Sequence, residues 1–134
     1  MANSYGISTA LAQLVLEAVL NNVALSFSTV CAQLHAGGSP GTAGTSNPAA
    51  ETNRLQVNMS TANAAAQLSG AGPSWTIVAT QGEDISALSL WSGFETDPNA
   101  VFMFSLPIIP NVQVAYGDTV SLTTLLLAAT GLAS

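Results

Sequence analysis

The sequence predicts a mainly β fold: a single, jelly-roll-like β-sandwich of about seven to eight strands with one N-terminal helix. A stretch near the N-terminus has a helical hydrophobic period, the rest alternates between apolar and polar residues in short runs, and turn residues separate those runs. The length of 134 residues fits one ordinary domain. We therefore expect one domain over residues 1–134, with the helix at about 8–21, the sandwich at about 23–127 and a flexible loop of Gly, Pro and Thr at 36–53.

The helix is predicted by one apolar stripe, which consists of Leu11, Leu14, Val15, Ala18 and Val19. Ser8 or Thr9 can cap its start, and the Asn21–Asn22 pair can end it. Leu16 and Leu20 widen the apolar face beyond a one-sided helix. We therefore expect the helix to be covered on more than one side, either by the core of this chain or partly by a neighbouring subunit.

After Asn22 the pattern changes from helical to alternating. Strands are predicted at 23–28, 30–35, 55–59, 75–80, 85–91, 100–106, 112–115 and 119–127, whereas the Ala-rich segment 61–68 is ambiguous. The strand at 30–35 alternates cleanly, which predicts one buried face. Residues 101–106 are almost uniformly apolar, which predicts cover on both faces. Residues 106–110 contain two prolines, so they are expected at an edge or a bend.

The charge of the chain excludes several functions. The chain has one arginine, Arg54, and no lysine. Seven residues are acidic, and the formal net charge is −6. Only 6% of the residues are charged, against about 25% in a typical soluble domain. Nucleic acids and anionic membrane surfaces are bound through Lys and Arg, so we expect neither as a partner. This composition favours a structural protein that hides surface against other chains, and we expect no enzyme.

The apolar run near the N-terminus and the first six residues bear on membranes and secretion. Residues 9–34 are strongly apolar, but polar residues and Glu17 interrupt the run, so we expect no membrane-spanning helix. Residues 1–6 have no positively charged region, so we expect no secretory signal.

Few residues are suited to catalysis or metal binding. His35 is the only histidine, and we expect it to have a structural hydrogen-bonding role. Cys31 lies among apolar residues and is expected to be a buried, inert thiol. One His and one Cys do not make a zinc site, and the acidic pairs at 83–84 and 95/97 do not fit a calcium loop. We therefore expect no catalytic residue, no cofactor and no metal.

The remaining candidates are the tryptophans and the single arginine. Trp75 and Trp91 lie in predicted strands, where core packing is expected; a sugar-binding cleft and subunit contacts are the alternatives. Any of the seven acidic residues could form an ion pair with Arg54, and Glu51 is nearby in sequence. We expect Arg54 to pair either locally or with an acid on a neighbouring chain.

The segment from Gln33 to Arg54, with its Leu34-His35 dipeptide, Gly/Pro/Thr loop and closing arginine, resembles a group of small tailed-bacteriophage virion proteins. The stretches at 74–75, 85–92 and 116–120 resemble the central and closing strands of that group. The chain departs from the group after the dipeptide, where Gly38-Ser39-Pro40 replaces a frequent Asp-Pro. The resemblance covers roughly residues 8–125.

This resemblance implies a virion component: a capsid decoration (cement) protein, a minor tail protein or a tail-fibre-like protein. The wide apolar face of the helix and the apolar run at 101–109 favour decoration of the capsid exterior, as a homotrimer that binds the major capsid protein. A tail, baseplate or receptor-binding fibre component, bound to tail proteins, is the alternative. We expect contacts through the helix, the loop and the apolar strand: Leu16, Leu20, Pro40, Arg54, Phe102 and Phe104.

Overall fold

The computed structural model describes residues 5–27, 29–62, 65–70, 72–123 and 125–128. These residues form a mainly β structure, as the sequence predicts, with one helix among them. The helix α1 is Thr9–Leu20. The strands are β1 (Gly6–Ile7), β2 (Cys31–Ala36), β3 (Leu55–Gln56), β4 (Met59–Ala62), β5 (Ala65–Leu68), β6 (Ser74–Thr76), β7 (Glu83–Trp91), β8 (Phe102–Val114), β9 (Thr119–Ser121) and β10 (Leu126–Ala128).

The strands form three antiparallel sheets. The largest has five strands in the order β1-β8-β7-β2-β3, a second has the order β10-β5-β4, and the third pairs β6 with β9. Within the described residues no sheet closes into a barrel. This arrangement is sandwich-like, but it does not confirm the jelly-roll connectivity.

The helix follows the prediction closely at its ends. Ser8 is the N-cap: its Oγ accepts a hydrogen bond from the Leu11 N–H, and Asn21 is the C-cap. Its stripe is narrower than predicted, because Leu11 is buried in the core whereas Val15 and Val19 are exposed. Ser8 N–H also donates to the Met103 carbonyl, which fixes the start of the helix against β8.

The two faces of the five-stranded sheet differ in chemistry. Ala32 and Leu34 of β2 lie on the same face as Leu88 and Leu90 of β7, and these four side chains belong to the apolar core. The opposite face presents Cys31, Gln33, His35, Ser89 and Trp91. Every residue from Cys31 to His35 is buried. The predicted single buried face of this strand is therefore wrong: β2 is central and covered on both sides.

Several predicted strands are shorter or divided. Residues 23–27 are not in a strand, and Ser28 lies outside the described residues. The run at 55–59 is divided: β3 and the Val57 N–H, which donates to the Val30 carbonyl, pair with the β2 side, whereas from Met59 the chain pairs with β5 as β4. The ambiguous segment 61–68 contributes to the β4–β5 pair. Of the run predicted at 75–80, only the first residues are in a strand, β6, and the run predicted at 119–127 forms two strands, β9 and β10. The described residues thus form ten strands rather than seven or eight.

The loop at 36–53 folds back along β2: residues 47–49 pair beside β2, and the Ser46 carbonyl reaches His35 on the polar face of the large sheet. The Ala36 N–H donates to the Asn47 carbonyl, and the Ser46 N–H donates to the Pro40 carbonyl. Pro40 and Ala49 are buried. The predicted flexibility of this loop stays a prediction, and these contacts oppose it.

The proline-containing part of β8 lies at an edge, as expected. Strand β1 pairs only with Phe104 and Ser105, so β8 has no described partner on that side from Leu106 onward. On its other side the register with β7 shifts between Pro107 and Val112, and Ile109 in this bulge is exposed. Prolines are compatible with such an edge because they lack the N–H that a further strand would require.

Candidate functional site

His35 is the centre of a buried polar cluster on the loop-covered face of the large sheet. Its Nδ1 lies 2.9 Å from the Ser46 carbonyl oxygen and its Nε2 lies 2.7 Å from the Ser89 Oγ. The Trp91 Nε1–H donates to the same Ser89 Oγ at 2.8 Å. His35 and Ser89 are both 0% exposed. This cluster ties β2, β7 and the loop together.

The partners determine the tautomer of His35. A carbonyl oxygen only accepts, so Nδ1 carries the hydrogen and donates to Ser46. Nε2 therefore accepts from the Ser89 hydroxyl, whose oxygen accepts from Trp91. Burial lowers the pKa of His35 below its ordinary value, and the nearby positive charge of Arg54 acts in the same direction, while the backbone contacts at Ser46 and Asn47 oppose it. A neutral ring satisfies every group in this chain of hydrogen bonds.

A serine hydroxyl within hydrogen-bond distance of a histidine has the geometry of a nucleophile with its base. Here, however, the third position is a backbone carbonyl and not a carboxylate, and the Ser89 hydroxyl oxygen also accepts from an indole. Neither Ser89 nor His35 reaches the surface. In this geometry the pair has no access to a substrate, and its groups stabilise the fold.

Arg54 lies over the indole of Trp91, on the same side of the sheet. Its Cζ is 3.7 Å from the ring centroid, and its Nε donates to the Gln33 Oε1 at 3.1 Å. Burial lowers the pKa of the Arg54 guanidinium, and the negative charge of Glu95 opposes that shift. Glu51 does not take the role expected of it: its Oε1 accepts from the Asn53 N–H. The single arginine is thus engaged inside the chain.

The other reactive groups are also placed for structure. Cys31 is free and buried, and burial raises the pKa of its thiol, as expected for an inert cysteine. Among the described residues no group of three His, Cys, Asp or Glu side chains is placed to hold a metal ion. No helix in the described part of the chain is long and apolar enough to cross a membrane.

The helix exposes apolar side chains that point away from the core. Leu16 is 54% exposed, Val19 is 74% exposed and Leu20 is 72% exposed. We call these three residues the helix ridge. Leu16 and Leu20 lie on the side of the helix away from Leu11, and Val19 borders Leu16 between that side and the face of Leu11. The helix therefore has an apolar face that the described part of this chain leaves uncovered.

A second apolar feature is a cleft of about 360 Å³, open on one side, between the large sheet and the β6–β9 pair. Its floor includes Leu34, Leu88 and Trp75, all buried. Its rim is formed by residues of β8, by the last residue of β9 and by the segment that follows β9; it includes Pro107, Ile108, Val112, Ser121, Leu122 and Thr123. No charged side chain belongs to the described lining. We call this feature the apolar cleft.

A scan of the sequence against protein-family models found no match, and a search of curated proteins found no significant relative.

The structure separates the residues predicted to make contacts with other chains. Leu16 and Leu20 are exposed on the helix ridge, whereas Pro40 and Phe102 are buried within the chain and offer little side-chain surface to a partner. Phe102 packs against Trp91, with ring centroids 5.3 Å apart. Of these four residues, only the two leucines offer a surface for a contact role.

The last two predicted contact residues, Arg54 and Phe104, are both half-buried. Arg54 belongs to the Trp91 cluster, and Phe104 packs against the apolar core and pairs with Ile7 of β1. Trp75 and Trp91 are buried, as the core-packing interpretation predicts. The partner of His35, Ser89, was not predicted from the sequence. The sequence did contain a signal for it: Ser89 is a polar residue between Leu88 and Leu90, and it lies on the same face of the sheet as His35.

Proposed function

We propose that this protein is a non-enzymatic structural protein of a tailed-bacteriophage virion, which coats the head shell as a homo-oligomer and stabilises it. The observation that carries the proposal is the helix ridge. Three neighbouring large apolar side chains, each more than half exposed, form a surface suited to burial against protein. The resemblance of the segment from Gln33 to Arg54 supports the phage virion as the setting.

The charge distribution supports binding through apolar contacts. The net charge is −6, and the only arginine lies against Trp91 and Gln33. A surface with no free basic side chain in the described residues is poorly suited to phosphate backbones. Apolar contacts that are weak for one copy become strong when many copies bind a lattice. A decoration protein uses this kind of binding.

Immunogold labelling of purified virions of the phage that encodes the chain tests the proposal. Label distributed over the heads is the expected result. Label confined to the tail or baseplate would overturn decoration in favour of the tail alternative, and virions free of label and of the protein by mass spectrometry would overturn the virion assignment.

Heads that lack the protein provide the functional test. Adding the purified protein should raise the temperature at which these heads release DNA. The variant Leu16→Gln/Leu20→Gln should lose most of this effect, because without adding charge it removes apolar surface that joins the copies of the homo-oligomer to each other or to the shell. The matched control Val78→Gln/Tyr116→Gln removes two exposed apolar side chains elsewhere and should stabilise heads like the unmodified protein. Equal loss in both variants would contradict a role of the ridge.

A hydrolase is the function that the His35–Ser89 pair would otherwise suggest. A fluorophosphonate probe reacts with activated serine hydroxyls that a ligand can reach. We expect no labelling of Ser89, because neither residue is exposed. Labelling that is lost in Ser89→Ala would show an accessible nucleophile and contradict the non-enzymatic proposal.

A further inference from the structure

We propose that the helix ridge of one copy inserts into the apolar cleft of a second copy, so that the chains associate head to tail in a closed ring. This inference rests on the homo-oligomer of the proposed function and names its contact. The ridge comprises Leu16, Val19 and Leu20. The cleft lies between the large sheet and the β6–β9 pair.

The ridge and the cleft are different parts of the molecule. The helix is fixed to β8 at Met103, whereas the cleft is lined by β8 from Leu106 onward, and the ridge points away from the core of its own chain. The ridge of a copy is exposed and so does not fill the cleft of that copy. A protruding surface that complements a pocket elsewhere on the same molecule makes a heterologous contact, which generates rings when the rotation closes.

The two surfaces match in size. An empty apolar cavity of about 150 Å³ holds one benzene ring, which is similar in bulk to a leucine side chain. The cleft of about 360 Å³ therefore has room for roughly two such groups. Leu16 and Leu20 lie one helical turn apart and present two groups of this size side by side, so these two side chains fill the cleft and Val19 packs at its rim.

The two surfaces also match in charge. Glu17 is the only charged residue of the helix; it lies beside the ridge, where its carboxylate accepts from the Gln13 amide. No charged side chain belongs to the described lining of the cleft. Inserting the ridge thus leaves no charge buried without a partner, which would be costly. Since every copy carries a charge of −6, copies repel each other, and an apolar contact allows association that added salt strengthens.

The experiment uses one variant for each surface. Leu16→Gln/Leu20→Gln removes the ridge, and Thr123→Trp places a large side chain on the exposed rim of the cleft. The control Thr119→Trp adds the same side chain at an exposed position of β9 that does not line the cleft. Light scattering gives the mass of each protein and of mixtures.

We expect an oligomer for the unmodified chain and for Thr119→Trp, and monomers for each of the two test variants. An equimolar mixture of the two test variants should form a dimer, because one intact cleft remains for one intact ridge. If Thr123→Trp alone keeps the full oligomer, the ridge contacts another ridge or another surface, and the inference is overturned while the homo-oligomer stands. A monomeric unmodified chain at the concentrations used for head binding would overturn both.

A cross-linking measurement detects the contact directly and does not depend on the fold of the tryptophan variant. Leu20→Cys and Thr123→Cys are prepared as separate proteins; the native Cys31 is buried. With oxidised glutathione, the mixture of Leu20→Cys and Thr123→Cys should form disulfide-linked dimers at least tenfold faster than three comparison samples. These samples are each of the two proteins alone and a mixture of Val78→Cys with Thr123→Cys. Equal rates in all four samples, or fastest linkage in Leu20→Cys alone, would overturn the head-to-tail contact.

Discussion

The Oγ of Ser89 lies 2.7 Å from the Nε2 of His35, and the same oxygen lies 2.8 Å from the Nε1 of Trp91. One hydroxyl thus donates to the ring and accepts from the indole. Because the Nδ1–H donates to the Ser46 carbonyl, the cluster has a defined direction of donors and acceptors and needs a neutral imidazole. A second proton on the ring would make Nε2 a donor, and the Ser89 hydroxyl hydrogen would lose its acceptor.

This relationship predicts that the protein loses stability as the solution becomes acidic. The pKa of His35 is lowered in the folded chain, so the unfolded chain binds the proton more readily. The stability from the neutral ring is complete above the unfolded pKa of about 6.5 and falls as pH drops below it, by at most about 1.4 kcal/mol per pH unit. Urea unfolding at pH 7.5 and pH 5.5 measures the loss.

The control for this pH effect is His35→Gln, which has no group that titrates at this position. Since His35 is the only histidine, the variant should show little change between the two pH values, although it should be less stable than the unmodified chain at pH 7.5. An unmodified chain with the same midpoint at both pH values would contradict a buried neutral histidine.

A second prediction concerns Arg54 and Trp91. Arg54→Lys keeps the charge but loses the planar group that stacks on the indole and the Nε–H that donates to Gln33. We expect a loss of about 1–2 kcal/mol in the free energy of unfolding, from the cation–π contact and one hydrogen bond to a polar side chain. Urea unfolding measures this loss, and tryptophan fluorescence reports the change at Trp91. A lysine variant as stable as the parent would mean that only the charge matters.

The polar cluster shows how far the sequence predicts this structure. The solitary His35 correctly predicted a structural hydrogen-bonding role, because one imidazole without cysteine or carboxylate partners suits little else. Its partner Ser89 is 54 residues away in sequence, and the register of β2 with β7 that brings Ser89 close is a tertiary property. The alternation of apolar and polar residues at 30–35 gave a wrong prediction, namely that one face of this strand is exposed. On that face the Ser46 carbonyl contacts His35 and the Arg54 side chain covers Gln33 and Trp91, and neither group has a hydrophobic signature in the sequence.

A third prediction tests the fit of that loop on the sheet. A Cβ added at Gly44 would lie 2.5 Å from the Phe102 ring, in backbone with φ of +77° that favours glycine. Gly44→Ala should therefore destabilise the protein by about 2–4 kcal/mol, through overpacking and backbone strain together. Thermal unfolding measures the effect.

The matched control for the loop is Gly37→Ala. Gly37 has a similar φ of +80°, but an added Cβ would meet no atom within 4 Å. This substitution carries the backbone strain alone and should cost about 1 kcal/mol. Equal losses at Gly44 and Gly37 would mean that the loop does not pack tightly on Phe102, as expected for the flexible loop that the composition predicted.

For the helix, the sequence predicts the element itself but not the side that packs on the core. The period at 8–21 and the cap at Ser8 predicted the element almost to the residue, because capping and amphipathic period are local properties. The period did not show which apolar residues face the core. Leu11, Leu16 and Val19 look alike in a helix that is apolar on more than one side. Only the packing of the helix against β8 determines that Leu11 is buried and that Leu16 and Val19 are exposed.

The last prediction exploits this difference between two leucines of one helix. Leu11 is 6% exposed and belongs to the core, so Leu11→Ala should lower the free energy of unfolding by about 2–5 kcal/mol. Leu20→Ala removes the same atoms from an exposed position and should change it by less than about 0.5 kcal/mol when unfolding is measured at low protein concentration, where the chain is monomeric. In light scattering at high concentration the order reverses: Leu20→Ala should reduce association, whereas folded Leu11→Ala should associate like the parent. Similar effects of the two substitutions on unfolding would contradict the orientation of the helix, and unchanged association of Leu20→Ala would contradict the role of the ridge.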